Sequence, residues 1–463
     1  MASQITPEGN VIAPLNISAP APMLDLRGFK WDTVDEKIQG THHREDAPPA
    51  PKQQVAALPP QLEKQLEKPK DSFLPSFPLE QFHGTYAGNG FNLIWRPRAN
   101  DDATFPTTSN ASAKTPVGPN DNILELNLTR EQLTFGENIG KIPNRGFLNQ
   151  PDINLAGLPY LQTVQDVTFP TTGKGDNPIA TSIHFEPGVW LNVPKSKVHE
   201  KPADSVTRMA CIPHGTTINA QGLVPPRATT SKSVIGGDAR PPNIQMIDTT
   251  PFKLGNPNNR LNGAFPSMDA ANPNTFRIPQ DLKNFVRENT ITSEIIKNPH
   301  QVLLKAIKNQ VITETITIEV STGLPTATIN GGGISNISFL MGKQNLGDNN
   351  APSDPVAHAA FMTSTFWIER VQYQVHITKS SVQSTQRLFP DMSKSPDAPT
   401  PEFLITTPRG GVPKDITITI PSIQIQYSQT VNLNFGLPGN ILTWPHVSVA
   451  TLVPSSPQPF QMT

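Results

Sequence analysis

Apolar and polar residues alternate with a period of two along much of the chain from Phe82 onward, and hardly at all before it. Side chains of a strand point to opposite faces in turn, so each alternating stretch predicts a half-buried β-strand. "FNLIWRP" from Phe91 is the first such stretch. "ILELNLT" sets Leu124, Leu126 and Leu128 against Glu125, Asn127 and Thr129, and "LTREQLTF" then turns and continues. "LPYLQTVQDVTF", "TSIHFEPGVWLNVP" and "VTRMACIPHGTTINAQG" follow. After a long interruption come "ITETITIEV", "TSTFWIERVQYQVHI", the very long "ITITIPSIQIQYSQTVNLNF" and "LTWPHVSVATLV". Pro421 in the long stretch predicts a bend or bulge, because proline cannot donate to a ladder.

The interruption, residues 223–310, is rich in turn residues and ends in helical pattern. "IPQDLKNFVRE" and "NPHQVLLKAIKN" read as short helices, the second with Asn298 as N-cap and Pro299 in its first turn. These helices are expected to close off one end of the body. Residues 1–75 are polar and proline-rich and read as an arm lying on the body or on a partner subunit. Neither half of the alternating region closes on its own, and a closed sheet removes exposed edges. The expected fold is therefore all-β: one large antiparallel barrel of about ten strands over residues 76–463, carrying the insert 223–310. Two packed β-domains are the alternative.

Composition narrows the function. Fifty prolines in 463 residues favour short elements and loops. Charged residues are 16% and the net charge is −1, so the chain has no electrostatic footprint for nucleic acid or for an anionic membrane surface. The single cysteine, Cys211, cannot form an intramolecular disulfide. No signal-peptide pattern and no apolar run long enough to span a bilayer is seen, so a soluble cytoplasmic protein is expected. Glycosylation at the sequons Asn16, Asn110, Asn127 and Asn336 is not expected in that compartment.

The glycines Gly84, Gly88 and Gly90 precede a strand, whereas a dinucleotide loop follows one and opens a helix, and no Walker lysine is present. They read as a corner where a barrel strand bends and packs closely. No Gly-x-Ser-x-Gly elbow occurs, and Cys211 lies between Ala210 and Ile212 in a strand pattern, as a buried inert thiol would. No metal-ligand spacing is found, so the metal question stays open. The candidate chemistry sits on strand faces. His184, Glu186 and Trp190 share one face; Arg208 and His214 share the next, with Pro213 between them. Trp444 pairs with His446, and Glu369 goes with Trp367 and Tyr373. Turned inward, these faces give an aromatic lumen with a few convergent polar groups; turned outward, they are a solvated surface. Alternation fixes the period and not the sign.

Five blocks, "HGTYAGNGFNLIWRP", "IHFEPGVWLNVP", "MACIPHGTTINAQG", "GGGISNISFLMG" and "LTWPHVSVATLV", resemble a poorly characterised microbial family, some members of which are labelled haem-binding or peroxidase-like. The first block is also similar to the opening strand of calycin barrels (lipocalins, fatty-acid-binding proteins, nitrobindins), with Gly84, Tyr86 and Gly88 in the Gly-x-Trp/Tyr-x-Gly element. The resemblance implies a barrel that encloses an apolar or amphipathic small molecule, with haem a candidate cofactor. Ligand contacts are then expected from Tyr86, Trp95, Trp190, Trp367, Tyr373, Trp444 and His446. An enzyme in the same cavity, with haem peroxidase-like or acid/base chemistry, would use His184, Glu186, Arg208 and His214. A structural or assembly protein, forming a homo-oligomer through its arm, is the third reading.

Overall fold

The computed structural model describes residues 83–96, 123–148, 151–194, 205–213, 215–223, 266–273, 275, 277–323, 333–336, 357–437 and 440–462. All of them belong to the compact unit Lys68–Thr463; the unit Met1–Glu67, and with it most of the arm 1–75, lies outside the described residues.

Ten strands form the body: β1 Gly84–Arg96, β2 Ile123–Phe135, β3 Ile153–Asp166, β4 Thr181–Val193, β5 Ser205–Cys211, β6 Thr216–Leu223, β7 Val311–Ser321, β8 Ala357–Ile377, β9 Ile416–Leu437 and β10 Asn440–Pro454. Each pairs antiparallel with the next in chain order. β10 then pairs with β1, from Tyr86 opposite Pro454 to Ile94 opposite His446, and closes the barrel. This is the closed antiparallel barrel expected, consistent with a calycin-like architecture. The thinnest seam is β6–β7, held by Gln221 opposite Ser321, while a short strand Gly333–Asn336 pairs with the rest of β6. No helix among the described residues is long and apolar enough to cross a membrane.

The cross-strand register settles which faces look inward, because directly opposed residues share a face. Tyr86, Leu133, Tyr160, Trp190, Ile318, Phe366, Tyr427 and Leu452 gather in one buried cluster inside the wall. On β1 and β2 the strongly apolar faces point outward instead. Phe91, Leu93, Trp95, Leu124 and Leu126 pack beneath the insert, against Phe285, Ile291, Ile295, Ile296 and Leu303. The helices α1 Lys283–Arg287, α2 Ser293–Lys297 and α3 His300–Ile307 thus cover the side of the barrel rather than an end. Asn298 does serve the start of α3: its Oδ1 accepts from the His300 N–H.

Three more expectations change. β2 runs unbroken through "LTREQLTF", without the expected turn. Its second face is not solvated, since Glu125, Asn127, Thr129 and Glu131 are all buried toward the lumen. Pro421 produces no bulge and sits in register opposite Gln372. The ladder of β9 with β10 begins only at Ile425, so β9 has one strand neighbour at Pro421, an edge position of the kind where proline is tolerated. A three-stranded sheet of Thr385–Leu388, Phe403–Thr406 and Gln458–Gln461, not foreseen, covers Val371, Tyr373, Val375 and Ile420 on the outer wall.

Candidate functional site

Arg208 organises the lumen. It stands on β5 opposite Trp190 on β4 and Ala220 on β6, and is 1% exposed. A buried guanidinium needs all five N–H groups met, and here they are. Nε donates to Tyr160 Oη at 2.9 Å. Nη1 donates to Gln429 Oε1 at 2.7 Å and Ser364 Oγ at 3.1 Å. Nη2 donates to Glu186 Oε1 at 2.6 Å and Gln162 Oε1 at 3.4 Å. The rings of Phe366, Tyr160 and Trp190 lie 5.2, 5.6 and 5.9 Å from its central carbon, within cation–π range.

Glu186 is the counter-charge. Besides Arg208 it accepts the Tyr160 hydroxyl on Oε1, and its Oε2 pairs with His184 Nε2 at 3.0 Å. Burial alone would push its pKa up, but the Arg208 charge and the His184 bond prevail and lower it to about 2. Glu131 behaves in the opposite way. Burial raises its pKa although Tyr427 Oη, at 2.5 Å, and Thr129 Oγ1, at 2.8 Å, both donate to it. Gln162 links the two carboxyls, donating to Tyr427 Oη at 3.0 Å while accepting from Arg208. Burial also holds the phenols of Tyr160 and Tyr427 well above their ordinary range. Two wall glycines make room for this network. A Cβ on Gly90 would lie 2.7 Å from Glu131 Oε1, and one on Gly188 would lie 2.6 Å from the Tyr160 ring.

Three of the four residues expected to carry chemistry, His184, Glu186 and Arg208, therefore meet in one cluster; His214 lies outside the described residues. Of the expected ligand contacts, Tyr86 and Trp190 line the same chamber. His446 faces the lumen farther along, where Asn92 Nδ2 lies 2.8 Å from its Nε2 and 2.9 Å from Ser448 Oγ. Trp95, Trp367 and Tyr373 do not line the lumen. Trp95 and Trp367 are buried under the insert, the latter with the His300 ring at 6.4 Å, and Tyr373 packs on Phe403 beneath the small sheet. Trp444 lies on β10 opposite Leu433, its side chain outside the described residues. Sequence reasoning missed Glu131, Tyr160, Gln162, Ser364, Tyr427 and Gln429. A Tyr-x-Gln step on two strands, Tyr160 to Gln162 and Tyr427 to Gln429, was the available signal.

A second buried polar seam lies outside the barrel. Glu369 and Gln424 face outward as a cross-strand pair, with Gln424 Nε2 donating to Glu369 Oε2 at 2.8 Å and exchanging bonds with Gln310 at 2.9 Å.

Haem needs an imidazole, or another axial ligand, turned toward an apolar slot. The described imidazoles on the inner wall are those of His184 and His446, and each has its Nε2 within hydrogen-bond distance of a polar side chain. The apolar part of the lumen is packed around the Arg208 guanidinium. Neither of these two imidazoles is presented to an apolar slot as a haem ligand would be. No group of three or more His, Cys, Asp or Glu suited to a metal ion occurs among the described residues either. No protein-family model matches this chain, and neither a curated protein nor a solved structure matches it.

Proposed function

We propose that the barrel binds a small amphipathic molecule at the polar end of its lumen, and that His184 is the group this molecule meets. One observation carries the reading. Arg208 and Glu186 are sealed in, but the His184 side chain, joined to them through Glu186, is 20% exposed. A buried carboxylate that holds one imidazole nitrogen fixes the ring's orientation, the usual preparation for a recognition or proton-transfer task. The wall around it supplies both characters an amphipathic ligand needs. Val164, opposite His184, is apolar, and Glu131, opposite Val164 on β2, is polar.

A second reading, acid/base catalysis in the same place, is favoured by the opposed carboxyls. Glu186 is pushed down and Glu131 up, and both feel His184. Titratable groups separated in this way are how acid and base roles become assigned. Haem chemistry has no such support.

The test is native mass spectrometry of freshly purified protein, followed by fluorescence titration with 8-anilinonaphthalene-1-sulfonate and with a short fatty acid. Retained ligand, or micromolar binding weakened at least tenfold in His184→Ala, is the expected result. No retained mass and no saturable binding would overturn the reading, and unchanged affinity in His184→Ala would remove His184 from it.

A further inference from the structure

The outer wall is covered by the helical insert on one side and the three-stranded sheet on another; Ile139 and Ile142 approach the outer side of β3 at Gly157, and over β4 and β5 no cover is seen among the described residues. The outward positions there carry no charged residue. Pro159, Val189 and Met209 are successive cross-strand partners, and Leu161 stands opposite Pro187. Phe185 is 45% and Met209 40% exposed, and Cys211 is exposed beside them. A contiguous apolar face of this kind marks a contact surface.

The chain's own course indicates what covers it. β1 begins at the rim of this wall: Thr85 is opposite Thr134, Thr134 opposite Leu161, and Leu161 opposite Pro187. Cys211 adjoins Pro187, one position past the Gly188–Ala210 pair. It is thus four strands from Thr85, about 19 Å at the usual strand spacing of ~4.8 Å. The residues just before β1, "FLPSFPLEQF" at 73–82, lie outside the described residues. Ten residues can reach about 33 Å when extended. They carry one charge, Glu80, and the apolar side chains of Phe73, Leu74, Phe77, Leu79 and Phe82. Pro75 and Pro78 offer no N–H, which suits a wall whose backbone groups are already used in ladders. On the other flank of β1 the rim is taken, because the Ser455 N–H donates to Thr85 O and the chain runs on into the small sheet.

We propose that the outer face of β3–β5 is the docking surface for the chain's own residues 73–82. Cys211, the single cysteine, is the built-in probe. Its rate of reaction with a maleimide is measured in the full chain, in Leu79→Asp, and in Phe77→Asp/Leu79→Asp, each at two protein concentrations tenfold apart. Far-UV circular dichroism and the urea midpoint show that the variants are folded. The expected result is slow labelling of the native chain at both concentrations, and labelling at least fivefold faster in the double variant with the single variant between. Equal rates in all three chains would overturn the proposal. So would protection that deepens with concentration, which would make a second copy the occupant.

Discussion

Glu369 should make this protein lose stability as pH rises, through a range in which most proteins are indifferent. Its carboxyl is 0% exposed on the outer face of β8. Oε2 receives one hydrogen bond, from Gln424, and Oε1 has no partner among the described residues. Among the described residues no cation offsets the cost of burying its charge, so burial raises the pKa from 4.5 to about 8, against the pull of the Gln424 bond. The sign follows from proton binding. Below about pH 4.5 the carboxyl is protonated in both folded and unfolded chains, and pH has no effect through this group. Between 4.5 and 8 the unfolded chain has lost the proton and the folded chain keeps it. Stability then falls by about 1.4 kcal/mol for each pH unit. Over the interval from 4.5 to about 8 the loss sums to roughly 5 kcal/mol, an order-of-magnitude figure. Above pH 8 the loss levels off.

Glu369→Gln isolates this effect from all other titrations. It keeps the shape and an acceptor for Gln424 but cannot ionise. Urea unfolding of both proteins at half-unit steps from pH 5 to 9 gives the difference in stability directly, provided the slopes with urea stay parallel. The variant is expected to match the native chain within about 1 kcal/mol at pH 5 and to exceed it by several kcal/mol at pH 8.5. A difference that stays flat across the range would refute the reasoning, because it would mean that the carboxyl is ionised in the folded state.

Two further outcomes test the lumen. Arg208→Met leaves Glu186 buried without its cation and should cost about 3–5 kcal/mol; adding Glu186→Gln should restore part of that, and a urea double-mutant cycle with purely additive losses would show that the pair does not interact. Gly188→Ala places a Cβ 2.5 Å from Met209 O and 2.6 Å from the Tyr160 ring. It should therefore cost about 1–3 kcal/mol by overpacking, read as a lower thermal midpoint, and an unchanged midpoint would mean that Tyr160 does not lie where the network requires.

The strands were legible in the sequence because their alternation is long and regular, and Gly88 and Gly90, which lie within β1 and not before it, read correctly as positions of close approach. What alternation could not give was its sign. That inference normally rests on the apolar face being the core face, and here β1 and β2 break the link. The insert shields the outside, so Leu124 and Leu126 are buried outward while Glu125 and Glu131 are buried inward. The sequence of β2 therefore looks like a half-solvated strand although its inner face is buried and its outer face is buried at Leu124 and Leu126, and nothing in the pattern singles out Glu131. His184, Glu186 and Arg208 were found because charged groups and histidine stand out on a strand. Gln162, Ser364 and Gln429 were not, because an amide or hydroxyl at one position says nothing until a guanidinium is known to stand across the barrel.

A wall buried on both faces also raises the question of what keeps the register. Where one face is apolar and the other wet, a one-residue slip exposes the apolar set and is resisted for that reason. On a doubly covered wall both faces are shielded, and the hydrophobic penalty for a slip shrinks. The lumen network supplies a penalty of another kind, and it acts on β5 as well, whose outer face carries the exposed Met209. A slip of β5 by one residue would carry Arg208 to the outer wall beside Val189 and turn Met209 inward. Glu186, Tyr160 and Gln429 would then lose their common donor inside the barrel, and an unpaired buried carboxylate costs several kcal/mol. The polar cluster is thus the element that tells the strands which way to face, and His184, its part-exposed member, is where the proposed ligand would meet it.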